Sequence, residues 1–286
     1  MNGSELSGWA VKRSRLLAAA LTLAAGCGRA APSNSGSSPF EARPARHGGS
    51  PTAMHKGLDE PTNAGRISST TNFDLTESAL SEGGAWRTGI DPLQTPVSVA
   101  SGIAFGTQTG WEAASRNYND SEAWLAGTFP PNQRVSAVIH KAPGLSGGYQ
   151  EVEILLRWSV GPLRTGLPSG DTHSYGYEIN LAWDGEYSCI AQFKGTAMFD
   201  SLASGSPVTA LGVHDGDVFT GEIVGNTVTA LLTRQGVTTV LGTATDDSDS
   251  PVTEGTPGIG FFRGTSPGST TNPQSFGFSS FTATAL

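Results

Sequence analysis

The chain has 286 residues, of which 15% are charged, and a formal net charge of −8. Phosphate binding needs clustered Lys and Arg, and with only 17 of them in an acidic chain, nucleic acid is excluded as a general partner. The 38 glycines and 17 prolines are well above average usage and describe many short strands joined by turns.

Lys12, Arg13 and Arg15 precede the apolar run "LLAAALTLAA". At about ten residues it is too short for a bilayer crossing of roughly 20 and is proportioned like a signal peptide. It ends in "LAAGC", Leu23 to Cys27. This resembles the bacterial lipobox, in which small residues precede a cysteine that is lipidated and becomes the new N-terminus. Ala24 stands three before Cys27, where that pattern prefers Leu. Residues 1–27 are therefore expected to be a lipoprotein signal peptide with Cys27 as the lipidation site. The membrane would then be a partner through the lipid, and the bacterial cell envelope the location. Ordinary cleavage near Ala30 would instead give a secreted protein.

Residues 28–70 are rich in Gly, Ser and Pro without apolar periodicity. They read as a disordered stalk of about forty residues, with a reach on the order of 35 Å. With Cys27 committed to lipid, Cys189 has no partner within the chain, and a buried, inert thiol is expected there.

From 71 to 286 short runs of Val, Ile, Thr and aromatic residues alternate with Gly, Pro, Asn and Asp. Strands are expected near 97–100, 103–107, 122–127, 134–141, 149–159, 174–183, 186–194, 217–224, 227–233, 237–243, 258–263 and 275–284. Only "LTESALSE", Leu75 to Glu82, has the pattern of a helical turn, with Thr76 as its cap. Asp184-Gly185, Gly225-Asn226 and Gln235-Gly236 have the composition of tight hairpin turns, the first of type I′. A dozen strands with almost no helix make a sandwich or a barrel.

The succession "FDLTESALSEGGAW", "GIAFGT", "AASRNYND", "YQEVEILLRW", "GYEINLAWDGEY", "GDVFTGEIVGNTVTALL" and "DDSDSPVTEGTPGIGF" resembles a concanavalin A-like lectin/glucanase domain of the laminin-G-like kind. The resemblance runs from Asn72 to Leu286 and implies an all-β, two-sheet antiparallel jelly-roll sandwich. Members of that superfamily bind glycans, cleave them, or adhere, so fold does not choose among functions.

Retaining glucanases of that fold carry E-x-D-x-x-E on one strand. Here the strand reads Glu151-Val152-Glu153-Ile154-Leu155-Leu156, with Leu156 where the acid/base belongs, so the family's mechanism does not carry over. Two glutamates two apart on a strand lie roughly 6.5 to 7 Å apart at Cα, which does not exclude inverting chemistry.

Strand alternation places Glu151, Glu153 and Arg157 on one face and Val152, Ile154, Leu156 and Trp158 on the other. In the next strands it leaves Glu178 and Asn180, then Gln192 and Lys194, opposite Tyr177, Ile179, Cys189, Ala191 and Phe193. If the strands are neighbours, these seven polar residues form one face suited to sugar hydroxyls; a merely solvated sheet shows the same alternation. Trp158 and Trp183 read as core. Trp111 and Tyr118, in "TGWEAASRNYND", are candidate sugar platforms, and His173 is a candidate ligand contact.

Other chemistry fails on context. "GLSGG", Gly144 to Gly148, lacks the strand–turn–helix setting of a nucleophile elbow. The five histidines never reach metal-ligand spacing, so no metal or cofactor is assigned. "DDSDS" at Asp246 and "HDGD" at His214 are loops that could hold a structural calcium ion, though neither is an EF-hand. The expectation is a lipid-anchored, non-catalytic carbohydrate-binding or adhesive domain. A polysaccharide hydrolase or lyase using the same concave groove is the alternative. Nothing in the sequence fixes the glycan or the oligomeric state.

Overall fold

A computed structural model of the protein describes residues 67–90, 94–108, 120–145, 149–162, 172–185, 187–195, 199–205, 212–264 and 272–286. Its strands are β1 (Ser68–Thr71), β2 (Trp86–Thr88), β3 (Thr95–Ala100), β4 (Ile103–Gly106), β5 (Ser121–Leu125), β6 (Gln133–Lys141), β7 (Tyr149–Pro162), β8 (Thr172–Ala182), β9 (Ser188–Lys194), β10 (Phe199–Gly205), β11 (Val218–Val224), β12 (Thr227–Arg234), β13 (Val237–Thr245), β14 (Thr256–Gly264) and β15 (Phe276–Ala285).

The hydrogen-bonded order is β10-β9-β8-β7-β14-β5-β3-β4-β15-β6-β11-β12-β13, with β2 on β5 and β1 on β15. β3 joins the two halves. Its start, Thr95 and Pro96, runs parallel to β5, and Val97 to Ala100 pair antiparallel with β4. That single parallel step departs from the wholly antiparallel expectation. We call β10 to β5 the front sheet and β4 to β13 the back sheet. They fold face to face into the expected all-β jelly-roll sandwich. A Cβ added to Gly221 on β11 would sit 2.7 Å from side-chain carbons of both Ile154 and Ile179, so the back sheet packs directly on β7 and β8.

Alternation explains the layer between the sheets. Val152, Ile154 and Leu156 of β7 meet Tyr177, Ile179 and Leu181 of β8 on the front side, and Phe219, Phe278 and Phe281 come from the back. Each such side chain contributes roughly 1.5–3 kcal/mol by leaving water. Tyr177 keeps its hydroxyl satisfied there, donating to Asp246 Oδ2 at 2.6 Å and accepting from the Val252 amide at 3.0 Å.

Several local expectations change. Leu75 to Glu82 is not helical. Glu77 instead bridges to Val99 on β3, its carboxylate accepts the Ser81 amide at 3.0 Å, and a short 3-10 turn follows at Glu82–Gly84. Gln235 and Gly236 both have positive φ, as a type I′ turn demands, whereas in the Gly225-Asn226 turn only Gly225 does, the mark of type II′. Asp184 is not in the positive region, and Ala182 pairs with Tyr187, so that hairpin has a wider loop in place of a two-residue I′ turn. β1, β2 and β10 were not anticipated; β1 occupies residues read as the end of the stalk.

Candidate functional site

The outer face of the front sheet, turned away from the sandwich core, gathers acidic residues in register. One row across the strands is Glu122, Gly260, Glu153, Asn180 and Cys189; the next is Trp124, Gly258, Leu155, Glu178 and Ala191. β14 thus gives this face two glycines where its neighbours give side chains. Glu122 and Glu153 flank that bare floor two strand spacings apart, about 9.5 Å at Cα. Asp120, the residue just before β5, lies two positions from Glu122, while Ala123 and Leu125 face the core. Asp120, Glu122, Glu151, Glu153 and Glu178 are all buried.

Their environments differ. Glu122 is fully engaged: one oxygen accepts from Gln94 Nε2, and the other accepts from Trp158 Nε1 at 2.9 Å and Ser174 Oγ at 3.1 Å. Glu178 accepts from Asn180 Nδ2 at 3.4 Å, and Asp120 from Gln108 Nε2 at 3.5 Å. Glu153 is only 1% exposed, and its Oε2 has no hydrogen-bond partner among the described residues. That oxygen lies over Gly260, where an added Cβ would come within 2.1 Å of it. Burial, then Glu178, Asp120, Glu151 and Glu122, raise the proton affinity of Glu153 well above the usual carboxylate range. Burial, then Asp120 and Glu178, do the same to Glu122, against the hydrogen bonds from Trp158 and Ser174. Oxygens of Asp120, Glu153 and Glu178 all lie within 4.8 Å of one another.

Beside the acids is a second apolar cluster, Trp124, Leu155, Trp158, Ala191 and Phe193, with Phe199 packed against it. Phe193 meets Trp158 edge-on at 5.1 Å and stacks on Phe199 at 5.3 Å. Gly176 makes room for the indole, since an added Cβ there would stand 2.5 Å from Trp158 Cε3.

Of the residues expected on this face, Glu151, Glu153, Glu178 and Asn180 come together on it. Arg157 does not. A bulge between Leu156 and Ser159 interrupts the β7–β8 register, with Arg157 at φ +50°. Its guanidinium turns away and donates to the carbonyls of Pro131 and Val252, both at 2.7 Å, and of Gly225 at 2.5 Å. The same extra residue moves Trp158 from the expected core position to the acidic face.

Gln192 and Lys194 are also corrected. Gln192 pairs across β8 with core-facing Tyr177 and Lys194 with Tyr175, whereas Cys189, Ala191 and Phe193 pair with Asn180, Glu178 and Gly176 and so share the acidic face. Gln192 donates to the Ser250 carbonyl at 3.0 Å, and Lys194 pairs with Asp200 at 2.5 Å. His173 takes the alternation of Tyr175 and Tyr177, away from the acids. Trp111 and Tyr118, like Cys27, lie outside the described residues.

In each of the two loops considered for calcium, one carboxylate is engaged by protein donors. Asp217 holds Arg234 at 2.6 Å and the His214 amide at 2.8 Å; Asp246 holds Tyr177 and the Ser248 amide. Burial pushes Asp217 up, but the Arg234 and His214 hydrogen bonds outweigh it and leave it below its ordinary value.

Sequence reasoning missed Asp120 and Glu122. The available signal was "NDSEAWL", in which acids alternate with Trp124 along a strand whose other side is Ala123 and Leu125.

No family model matches the chain, and no curated protein does. Among solved structures, a carbohydrate-binding module from Bacillus subtilis is 14% identical at TM-score 0.41, covering 65% of this chain and 96% of that one. A legume lectin-like domain from Entamoeba histolytica is 10% identical at 0.43, covering 76% and 98%. The kappa-carrageenase of Pseudoalteromonas carrageenovora, in complex with an oligotetrasaccharide of kappa-carrageenan, is 11% identical at 0.44, covering 82% and 99%.

Proposed function

We propose that the domain is a carbohydrate-binding module of a lipid-anchored bacterial envelope protein, with the outer face of the front sheet as its glycan site. The observation that carries this reading is the meeting of indole and phenyl rings with carboxyl and amide groups from three strands on one face. Pyranose rings offer C–H surfaces to aromatic rings and paired hydroxyls to planar acceptors. The whole chain on a polysaccharide array is expected to retain at least one glycan. Asn180→Ala, a half-buried position, should weaken that retention about tenfold, the worth of one well-made hydrogen bond. A folded protein that retains no glycan overturns the reading.

The anchor rests on "LAAGC" and the Gly/Ser/Pro-rich segment after it. Made in a bacterial host, the protein should enter the detergent phase on Triton X-114 partition, and Cys27→Ser should move it to the aqueous phase. A Cys27→Ser protein that stays in the detergent phase with unchanged mass removes the lipid assignment.

One observation favours a second reading, a glycoside hydrolase. Glu153 and Glu178 present oxygens within 4.8 Å, near the roughly 5–5.5 Å of a retaining carboxyl pair. The second carboxyl absent at Leu156 of β7 would then come from Glu178 on β8 as the nucleophile, with Glu153, whose proton affinity is raised by burial and its acidic neighbours, as the proton donor. Reducing sugar released by the native chain and lost in both Glu153→Gln and Glu178→Gln would establish that activity.

A further inference from the structure

We propose that Asp120, Glu153 and Glu178 form a binding site for a hard divalent cation, calcium in particular. The inference does not depend on which glycan, if any, the domain binds.

Three observations carry it. The first is spacing. Calcium holds oxygens at about 2.3–2.6 Å, so two ligands on opposite sides of one ion stand roughly 4.6–5.2 Å apart. The oxygens of the three residues fall within 4.8 Å of one another; Glu153 and Glu178 come from the paired strands β7 and β8, and Asp120 from the residue just before β5. The second is the orphaned oxygen. Glu153 Oε2 is buried over Gly260, on β14 between β5 and β7, and has no hydrogen-bond partner among the described residues, whereas Glu122 has both oxygens engaged by Gln94, Trp158 and Ser174. A buried carboxylate oxygen left without a donor is costly, and a metal ion satisfies it. The third is charge. The charged neighbours that dominate at Glu153 are all acidic, and the two cations expected on this face, Arg157 and Lys194, are engaged elsewhere.

The donor set selects the ion. It has carboxylate oxygens and no thiolate or imidazole, which favours Ca²⁺, Mg²⁺ or Mn²⁺ over Zn²⁺ or Cu²⁺. An ion on Glu153 and Glu178 also occupies the pair a hydrolase would use, so full occupancy and the hydrolytic reading exclude one another.

The test uses the whole chain stripped with EDTA. At pH 7.5, calorimetric titration with CaCl₂ is expected to show one saturable site. Calcium at about a hundredfold its Kd should raise Tm by roughly 5 °C or more. TbCl₃ should give tryptophan-sensitised emission that calcium quenches, because Trp158 hydrogen-bonds Glu122 of the same cluster. Glu153→Gln should weaken calcium at least tenfold, yet melt no lower than the native chain without metal, since one buried charge is gone. Should that variant fail to fold, Asp120→Asn, just before β5, makes the same test. The proposal is overturned if no saturable binding of Ca²⁺, Mg²⁺ or Mn²⁺ occurs, or if binding keeps its affinity in both variants.

Discussion

Arg157→Ala is expected to cost the fold about 3–5 kcal/mol, among the largest effects of any single substitution. The side chain is 2% exposed and serves three carbonyls from three separate loops, those of Pro131, Gly225 and Val252. Truncation leaves all three without that donor. Alanine keeps the unfavourable positive φ of the position, so Arg157→Gly, which loses the same hydrogen bonds but relieves about 1 kcal/mol of backbone strain, should be the more stable of the two. Urea denaturation of both proteins checks the size and the order. An alanine variant within 1 kcal/mol of native would mean the guanidinium does not hold these loops.

Gly255→Ala should cost a similar amount, about 2–6 kcal/mol, from backbone strain of roughly 1–3 and overpacking of roughly 1–3. Gly255 has φ +133°, and an added Cβ would stand 2.2 Å from both the carbonyl carbon and oxygen of Arg157 and 2.8 Å from the Trp158 amide nitrogen. Those are backbone atoms at the bulge, and they cannot yield without undoing it. Gln133 fixes the same spot from the other side, donating to the Gly255 carbonyl at 2.8 Å and accepting the Arg157 amide at 2.9 Å. The variant should therefore also shift the Trp158 fluorescence. A native emission spectrum with a small change in denaturation midpoint would show that the bulge is anchored elsewhere.

Why the sequence reveals the sheets better than the site follows from this bulge. Alternation in "EVEILL" holds, and Glu151 and Glu153 face away from the core as read. One extra residue at Arg157 then inverts every later side chain, and nothing in "LLRWSV" marks it, because positive φ at an arginine has no compositional sign. β9 failed for another reason. Both faces of the front sheet carry apolar residues, so Cys189, Ala191 and Phe193 read as inward although they line the acidic face, and Ile190, the apparent exception, was the true marker of the core. Asp120 and Glu122 went unseen because their role comes from β14, far along the chain, whose glycines let β5 and β7 share one floor. Turn chemistry was more legible: Gln235-Gly236 and Gly225-Asn226 both make tight turns, since glycine with a neighbouring polar residue encodes the needed φ locally.

The pairing of β1 with β15 has a consequence in time. Ser68 to Thr71 lie against Thr284 to Phe281, so the earliest described strand docks on the last. Closing so long a loop must precede any reward from that contact, which places this domain among slow folders dominated by non-local pairs. During synthesis the first strand waits for more than two hundred residues to follow it. A chain in which β15 runs directly into β1 and which begins at the Gln235-Gly236 turn would remove that wait without altering the pairing of the sheets.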